Sequence, residues 1–459
     1  MANLRRYKFF IFSVILYFLN SSFSLLKIQC RIDFEINGLS NEKIVLVSEY
    51  SDKQIIIDTI SLDVNGKGYY QSEKRLTSGL YMIVFPDSKY FEILINDEEQ
   101  FFTVSTDTVN LFNNLYIEGA DETQLYQRFQ LLSMKNDEIK SKSYTDNFNA
   151  NEYKSFYETY DNFKDSVCTS IPHSLLCKII RLNEFPKYKP SGTKPSKSSF
   201  YDIQKQNINI FYNNIDFNDS RLTNSRLLYD KFNYFFNILL SQNPDTIIKY
   251  IDITIDSCSK NENFKRFALS FLINNYRNPK NKNQDKILIH IAENYYLNGK
   301  APSWVNPKFV ELLQEKVNFI KPGMIGSIAP DLILQDINNK EIQISKYYGN
   351  LTLLFFWSPD CESCTKEIPK INAMYSKYQN KGFTIIAIYV HADKNIWIEY
   401  LQKNRNNWIN LYDPTRKSNF IKLYNIKETP EFVLLNKNKE ILIRDKTIDK
   451  INEYLNNTK

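Results

Sequence analysis

Glycine is nearly missing from this chain, at 11 residues in 459. Such scarcity excludes collagen-like repeats and Gly/Ser linkers, and the wealth of lysine, asparagine, isoleucine and tyrosine argues against wholesale disorder. Histidine is rarer still, with only His173, His290 and His391. Between residues 25 and 322 there is no GxxxxGK[ST] loop, no HExxH helix and no repeat of fixed period, so that stretch carries no motif for phosphate or zinc chemistry. A strong net charge is lacking too. Of the formal +6, Arg5, Arg6 and Lys8 supply three charges, and the first 24 residues hold no acid. The remaining balance of about +3 is too weak to imply nucleic acid or another polyanion as partner.

What is present is apolar: 43% of residues are hydrophobic and 15% aromatic, too much for one ordinary core. A multidomain α+β protein is expected. The one long apolar run, Phe9 to Leu19, follows the basic stretch and precedes Ser22-Phe23-Ser24, a small-x-small cleavage pattern. Residues 1–24 thus read as an export signal. An uncleaved anchor is the competing reading, but the run is short for a bilayer and Asn20, Ser21, Ser22 and Ser24 interrupt it. Lys27-Ile28-Gln29 before Cys30 lacks the small residues of a lipoprotein signal.

Residues 25–118 read as an antiparallel β-sandwich, because short runs such as Lys43–Val47, Gln54–Ile60, Leu80–Phe85, Phe91–Ile95 and Gln100–Val104 alternate with Asn-Gly and Asn-Asp turn clusters. Residues 119–322 read as an all-α domain, with helical spacing in Thr123–Lys142, Arg221–Ser241, Asp245–Ser257, Asn263–Tyr276 and Lys286–Leu297. Lys187–Ser199, with two prolines, a glycine and several serines, is expected to be a loop. From 325 to 459 buried strands (Leu351–Trp357, Phe383–Val390) alternate with helices (Glu362–Gln379, Lys394–Lys403), after a hairpin at Asn338-Asn339 and before another at Glu431–Arg444, which implies a sheet with βαβ crossovers.

Six cysteines are present. Cys30, Cys168, Cys177 and Cys258 admit three pairings, Cys168 with Cys177 closing the shortest loop, or none. Cys361 and Cys364 stand apart, since Cys361-Glu362-Ser363-Cys364 falls at the junction of a buried strand and a helix. There the helix amides stabilise a Cys361 thiolate, and Cys364, one turn on, is placed to resolve a mixed disulfide. The second ligand pair that zinc needs is missing, so no metal and no cofactor is expected.

Phe355-Phe356-Trp357-Ser358-Pro359-Asp360-Cys361-Glu362-Ser363-Cys364-Thr365-Lys366-Glu367-Ile368-Pro369 resembles the active-site segment of the TlpA/ResA-type branch of the thioredoxin superfamily. Gly326–Asp331 and Ile344–Gly349 resemble its leading hairpin, and Glu428-Thr429-Pro430-Glu431-Phe432 its cis-proline loop. The resemblance implies a thioredoxin-like α/β domain, Cys361 as nucleophile, Cys364 as resolving thiol and Pro430 as cis-proline. It also implies Thr429 as a backbone partner for substrate, Trp357 as a substrate-binding residue packed beneath the site unless it only fills the core, and Glu367 as a handler of the Cys364 proton, unless it is a solvated surface glutamate. Leu80-Tyr81, Phe101-Phe102, Asp219–Leu222 and Ala292–Tyr296 more loosely resemble domains that precede thioredoxin domains in Gram-negative envelope proteins.

Three departures stand out: Asp360 where a bulky residue is usual, Glu362-Ser363 in place of a dipeptide often ending in proline, and Phe355 where thioredoxins bury a carboxylate. Acids beside Cys361 oppose its thiolate and favour a reductant. The expected function is an exported thiol-disulfide oxidoreductase of a Gram-negative periplasm or envelope, acting on disulfide-containing envelope proteins with an upstream thiol donor. Membrane contact is expected only through the N-terminal segment. A ligand-binding or redox-sensing protein with an accessory thioredoxin domain is the alternative. A peroxiredoxin-like peroxidase fits less well, because Leu354 stands where its PxxxTxxC site needs proline.

Overall fold

The computed structural model describes residues 28–142, 150–184, 197–278, 284–404 and 406–457. The expected export signal lies outside them, as does the expected loop up to residue 196; Lys197 already begins a helix. Two compact units result, one of residues 1–241 and 253–271, the other of residues 242–252 and 272–459. Among the described residues no helix is long and apolar enough to cross a membrane.

The first unit opens with β1 (Cys30–Asn37), β2 (Lys43–Tyr50), β3 (Lys53–Ser61), β4 (Lys67–Ser72), β5 (Gly79–Val84), β6 (Tyr90–Ile95), β7 (Phe101–Asp107) and β8 (Tyr116–Glu118). They form two four-stranded sheets, ordered β4-β1-β7-β8 and β3-β2-β5-β6. In β1 every second residue, Cys30, Ile32, Phe34 and Ile36, is buried, as the two-residue period of a pleated strand demands. These side chains share one core with Ile44 and Leu46 of β2, Ile83 of β5 and Phe91 of β6. The expectation of purely antiparallel pairing is corrected at one place: β1 runs parallel to β7, with Ile32 opposite Phe102. Tight turns fix the direction of consecutive strands only; five strands separate these two, so no turn signal reports their orientation.

Helices follow: α1 (Asp121–Lys142), α2 (Ala150–Ser170), α3 (Leu175–Leu182), α4 (Lys197–Asn213) and α5 (Arg226–Tyr234), the last running into a π turn at Phe235–Leu239. Phe211 stacks on Phe235 at 3.8 Å between ring centroids, within a buried set that includes Phe232, Phe264 and Phe267. Next come α6 (Pro244–Ser257), α7 (Glu262–Tyr276), α8 (Asp285–Tyr295) and α9 (Pro307–Ile320).

The second unit is built on β9 (Ile333–Gln335), β10 (Glu341–Gln343), β11 (Leu351–Trp357), α10 (Glu362–Tyr378), β12 (Phe383–Tyr389), α11 (Asn395–Lys403), β13 (Ile409–Tyr412), α12 (Phe420–Leu423), β14 (Glu431–Asn436), β15 (Ile441–Asp445) and α13 (Asp449–Asn457). Its seven-stranded sheet runs β10-β9-β13-β12-β11-β14-β15, with β11, β12 and β13 parallel and β14 antiparallel to β11. The continuous apolar run in β11 has a plain cause. Leu353, Phe355 and Trp357 enter one core with Cys364 and Ile371 of α10, while Leu354 and Phe356 enter another with Phe420 and Tyr424. A strand covered on both faces has no polar face to show.

Two of the few glycines stand where β11 and β12 begin. A Cβ on Gly349 would lie 2.3 Å from the Gly382 carbonyl oxygen, and Gly382 itself has φ of +80°. Elsewhere in the sheet Arg444 and Glu431 form an ion pair at 2.9 Å, with side chains 3% and 1% exposed. Arg444 also donates to the carbonyls of Gly323 and Tyr424, so the segment that leads into the sheet is held by a buried guanidinium.

Candidate active site

β11 ends at Trp357, and Ser358-Pro359-Asp360 turns the chain into α10. Cys361 is the N-cap of that helix, with φ −87° and ψ 105°, and its Sγ accepts the Cys364 N–H at 3.2 Å. A sulfur in this position satisfies one of the four amides a helix start leaves open, and the same amide and helix dipole stabilise negative charge on it. The two cysteines are joined as a disulfide, with Cα atoms 5.2 Å apart. Their environments differ sharply. Cys364 has no exposed surface and lies on the apolar face of α10, in line with Ile368, Ile371 and Met374. Cys361 is only half-buried.

Topology brings the second expected motif to the same place. Because β14 pairs antiparallel with β11, Glu431 opposite Phe356, the residues before β14 meet the residues after β11. The Thr429–Pro430 peptide bond is cis, and the Thr429 carbonyl oxygen lies 3.5 Å from Cys361 Sγ. Pro430 is buried and Thr429 half-buried.

Trp357 requires a correction. It is fully buried, stacked on Phe355 at 5.6 Å and edge-on to Tyr400 at 5.2 Å, in the same core as Cys364. A side chain with no exposed surface can shape the site only by packing, and cannot touch a substrate. Phe355 stacks on Phe432 at 4.8 Å, so the position that lacks a carboxylate is filled by rings.

Glu367 is not a solvated surface group, since its side chain is 12% exposed. One carboxylate oxygen accepts the Ile448 N–H at 3.1 Å, at the start of α13, and the other faces Lys370 at 3.2 Å. The acids flanking Cys361 are also engaged. Ser358 donates its hydroxyl to Asp360, and Lys366 pairs with Glu362 at 2.7 Å, which holds the Glu362 carboxyl below its ordinary pKa. Both contacts soften the negative field that the sequence suggests at Cys361.

Two further polar side chains belong to this neighbourhood, Ser363 inside the CxxC and Tyr389 from the adjacent strand. Ser363 Oγ lies 3.2 Å from Cys361 Sγ. Tyr389, at the end of β12, donates to the Asp393 carbonyl at 2.9 Å, and burial, then the charges of Asp360 and Asp393, raise its phenol pKa. Only register could have revealed Tyr389, which stands opposite Trp357 on the neighbouring strand.

The remaining sulfurs divide into two kinds. Cys168 and Cys177 form a disulfide, while Cys30 and Cys258 are free and fully buried. Burial pushes their thiols up to about 11 and about 12 respectively, far from thiolate chemistry.

A thioredoxin-like family model matches residues 349–441. The thiol-disulfide oxidoreductase ResA of Geobacillus kaustophilus is 29% identical over 138 residues, covering 29% of this chain and 78% of that protein. ResA of Bacillus cereus is 30% identical over 137 residues, covering 28% and 76%. Among solved structures, a thioredoxin-like protein from Bacteroides caccae is 20% identical with a TM-score of 0.42, covering 60% of this chain and 98% of that one.

Proposed function

The chain belongs to the thioredoxin-like thiol-disulfide oxidoreductases, and on that premise we propose that it reduces or isomerises disulfides of envelope proteins, with Cys361 attacking and Cys364 resolving. The observation that carries this reading is the asymmetry of the pair: one sulfur at the surface on a helix N-terminus, the other sealed behind it.

In the reductive direction the Cys361 thiolate attacks one sulfur of a substrate disulfide. The substrate S–S bond breaks, its far sulfur leaves as a thiolate, and a Cys361 mixed disulfide forms. Cys364, after losing its proton, attacks Cys361 Sγ, forms the Cys361–Cys364 bond and expels the substrate's second thiolate. Two electrons have passed to the substrate, and an upstream thiol donor must return them. Thr429, whose carbonyl borders Cys361, is the proposed backbone partner of the substrate, with Pro430 beside it. Glu367, one turn beyond Cys364 on α10, is the proposed acceptor of the Cys364 proton.

Export follows in this reading from the Arg5–Ser24 pattern, with a mature chain beginning near Leu25. N-terminal sequencing tests it, and a cytosolic product starting at Met1 refutes it. The two N-terminal sheets are read as a β-sandwich domain of residues 25–118, ahead of a helical domain of 119–322 and the redox domain of 325–459. Trapping tests the assignment of the thiols. Cys364→Ser is expected to accumulate mixed disulfides with client proteins in intact cells at least tenfold above Cys361→Ser; equal trapping by the two variants sinks it.

A second reading, ligand binding or redox sensing by the N-terminal unit, is favoured by one observation. A cavity of about 2260 Å³ there is lined by Tyr90, Tyr126, Phe129, Tyr157 and Tyr160.

A further inference from the structure

Away from the Cys361–Cys364 pair, the other disulfide repeats its asymmetry. The Cys168–Cys177 bond joins the last turn of α2 to the first turn of α3. Cys177 has no exposed surface, whereas Cys168 is half-buried and borders a recess of about 410 Å³ whose walls include Lys164, Thr169 and Arg181. An incoming thiolate can therefore reach one sulfur of this bond and not the other.

α3 also has anchors besides this bond. Leu175, Leu176, Ile179, Ile180 and Leu182 are buried, the Leu176 N–H donates to Glu122 at 2.7 Å, and Lys178 pairs with Asp216 at 2.8 Å. Nine residues of sequence separation make a short loop, the case in which a cross-link restricts the unfolded chain least. Sealed structural disulfides resist reduction, while exposed ones are the exchangeable kind. The position is suggestive as well. Lys164, Ile180 and Glu184 border both this recess and the large tyrosine-lined cavity, to which α2 contributes Tyr153, Tyr157 and Tyr160.

We propose that Cys168–Cys177 is a second thiol–disulfide exchange site, which accepts two electrons from a dithiol through attack at Cys168. The donor's first thiolate bonds to Cys168 Sγ, the Cys168–Cys177 bond breaks, and its electron pair leaves on Cys177 Sγ, which takes a proton. The donor's second thiolate then attacks its own first sulfur. The donor disulfide forms, and Cys168 departs as a thiolate that takes the second proton. Both protons come from the donor's thiols. Reduction unties the end of α2 from α3 while α3 keeps its own anchors, so the redox state of this bond sets how firmly the α2 wall of the cavity is tethered. Any dithiol serves as donor, and the assignment does not rest on the Cys361–Cys364 chemistry.

The test equilibrates the intact protein, without denaturant, in mixtures of reduced and oxidised dithiothreitol, quenches with N-ethylmaleimide, and maps each cysteine by peptide mass spectrometry. Cys168 is expected to gain label in native protein at one midpoint and to lose it on reoxidation, and Cys177 to gain a second, distinguishable label added in denaturant at the same midpoint, while Cys30 and Cys258 take only that second label at every ratio. Cys177→Ser, offered oxidised glutathione, should form the Cys168 adduct at least tenfold faster than Cys168→Ser forms the Cys177 adduct. A bond that stays closed in native protein at every dithiothreitol concentration and opens only on unfolding overturns the proposal, as do equal adduct rates. The Cys361 and Cys364 peptides are read in the same samples, so a failure of either pair is distinguishable from a failure of the other.

Discussion

At Glu367 the two roles ask for different atoms. Bonding to the Ile448 N–H needs only an oxygen acceptor, which glutamine retains, while proton transfer from Cys364 needs a carboxylate. Glu367→Gln is therefore expected to leave stability within about 0.5 kcal/mol, since the half-exposed Lys370 partner contributes little. It should nonetheless slow resolution of the mixed disulfide severalfold in single-turnover assays. Glu367→Ala should in addition lose about 1 kcal/mol in urea unfolding, the order of one lost hydrogen bond to a backbone amide. Lys231 gives the pH prediction. Its ammonium is buried, donates to the Glu184 carbonyl at 2.9 Å, and is pushed by desolvation from 10.5 down to about 8. Between pH 8 and 10.5 the unfolded chain holds this proton and the folded chain does not, so Lys231 makes stability rise with pH across that window. The difference in unfolding free energy between wild type and Lys231→Met, measured at pH 7 and pH 10, should shift by ~1–3 kcal/mol in favour of wild type at the higher pH. At this scale the joining of Cys361 to Cys364 was legible because a CxxC at a strand–helix junction, with no second ligand pair for zinc, is left with thiol–disulfide chemistry. Tyr389 was not, since it comes beside Trp357 only through the register of β11 with β12 rather than through spacing.

Among the elements, the strands and helices of the redox domain were readable wherever burial writes a pattern along the chain. β11 and β12 are covered on both faces and read as apolar runs broken only by Thr352 and Thr384, and α10 repeats its buried positions at helical intervals. β13, four residues long, and β9, three residues long, carry too few positions to show any period. α2 shows its period poorly in the sequence because only Phe163 and Val167 are buried among its described residues, and the half-buried positions along the same helix include Tyr153, Tyr157 and Tyr160, whose hydroxyls disguise an apolar face. The glycine pair at the base of β11 and β12 supplies a test of how closely those strands approach. Gly349→Ala would set a methyl against the Gly382 carbonyl, backbone that cannot swing aside. A loss of ~1–3 kcal/mol is expected, the range for overpacking a tight site, measured as a lowered urea midpoint with an unchanged slope.

For the whole molecule, the boundary near residue 323 is chemical as well as topological. Arg444 is almost fully buried and spends part of its hydrogen-bonding capacity on the Gly323 carbonyl. A fragment of residues 325–459 removes that acceptor and should be less stable than a fragment of residues 307–459 by ~1–3 kcal/mol, as expected when a buried donor is left unsatisfied. Thermal unfolding of the two fragments measures the difference, and equal stability would show that water replaces the carbonyl without loss. The N-terminal sheets carry a consequence of another kind, in time rather than space. Cys30 lies at the first residue of β1, and the neighbour that runs parallel to β1 begins only at Phe101. At about 5–20 residues per second of synthesis, the chain spends several seconds with β1 made and β7 not yet made. Throughout that interval the core of the two sheets lacks one of its strands, and the thiol later locked in it stands open to oxidants and to other chains.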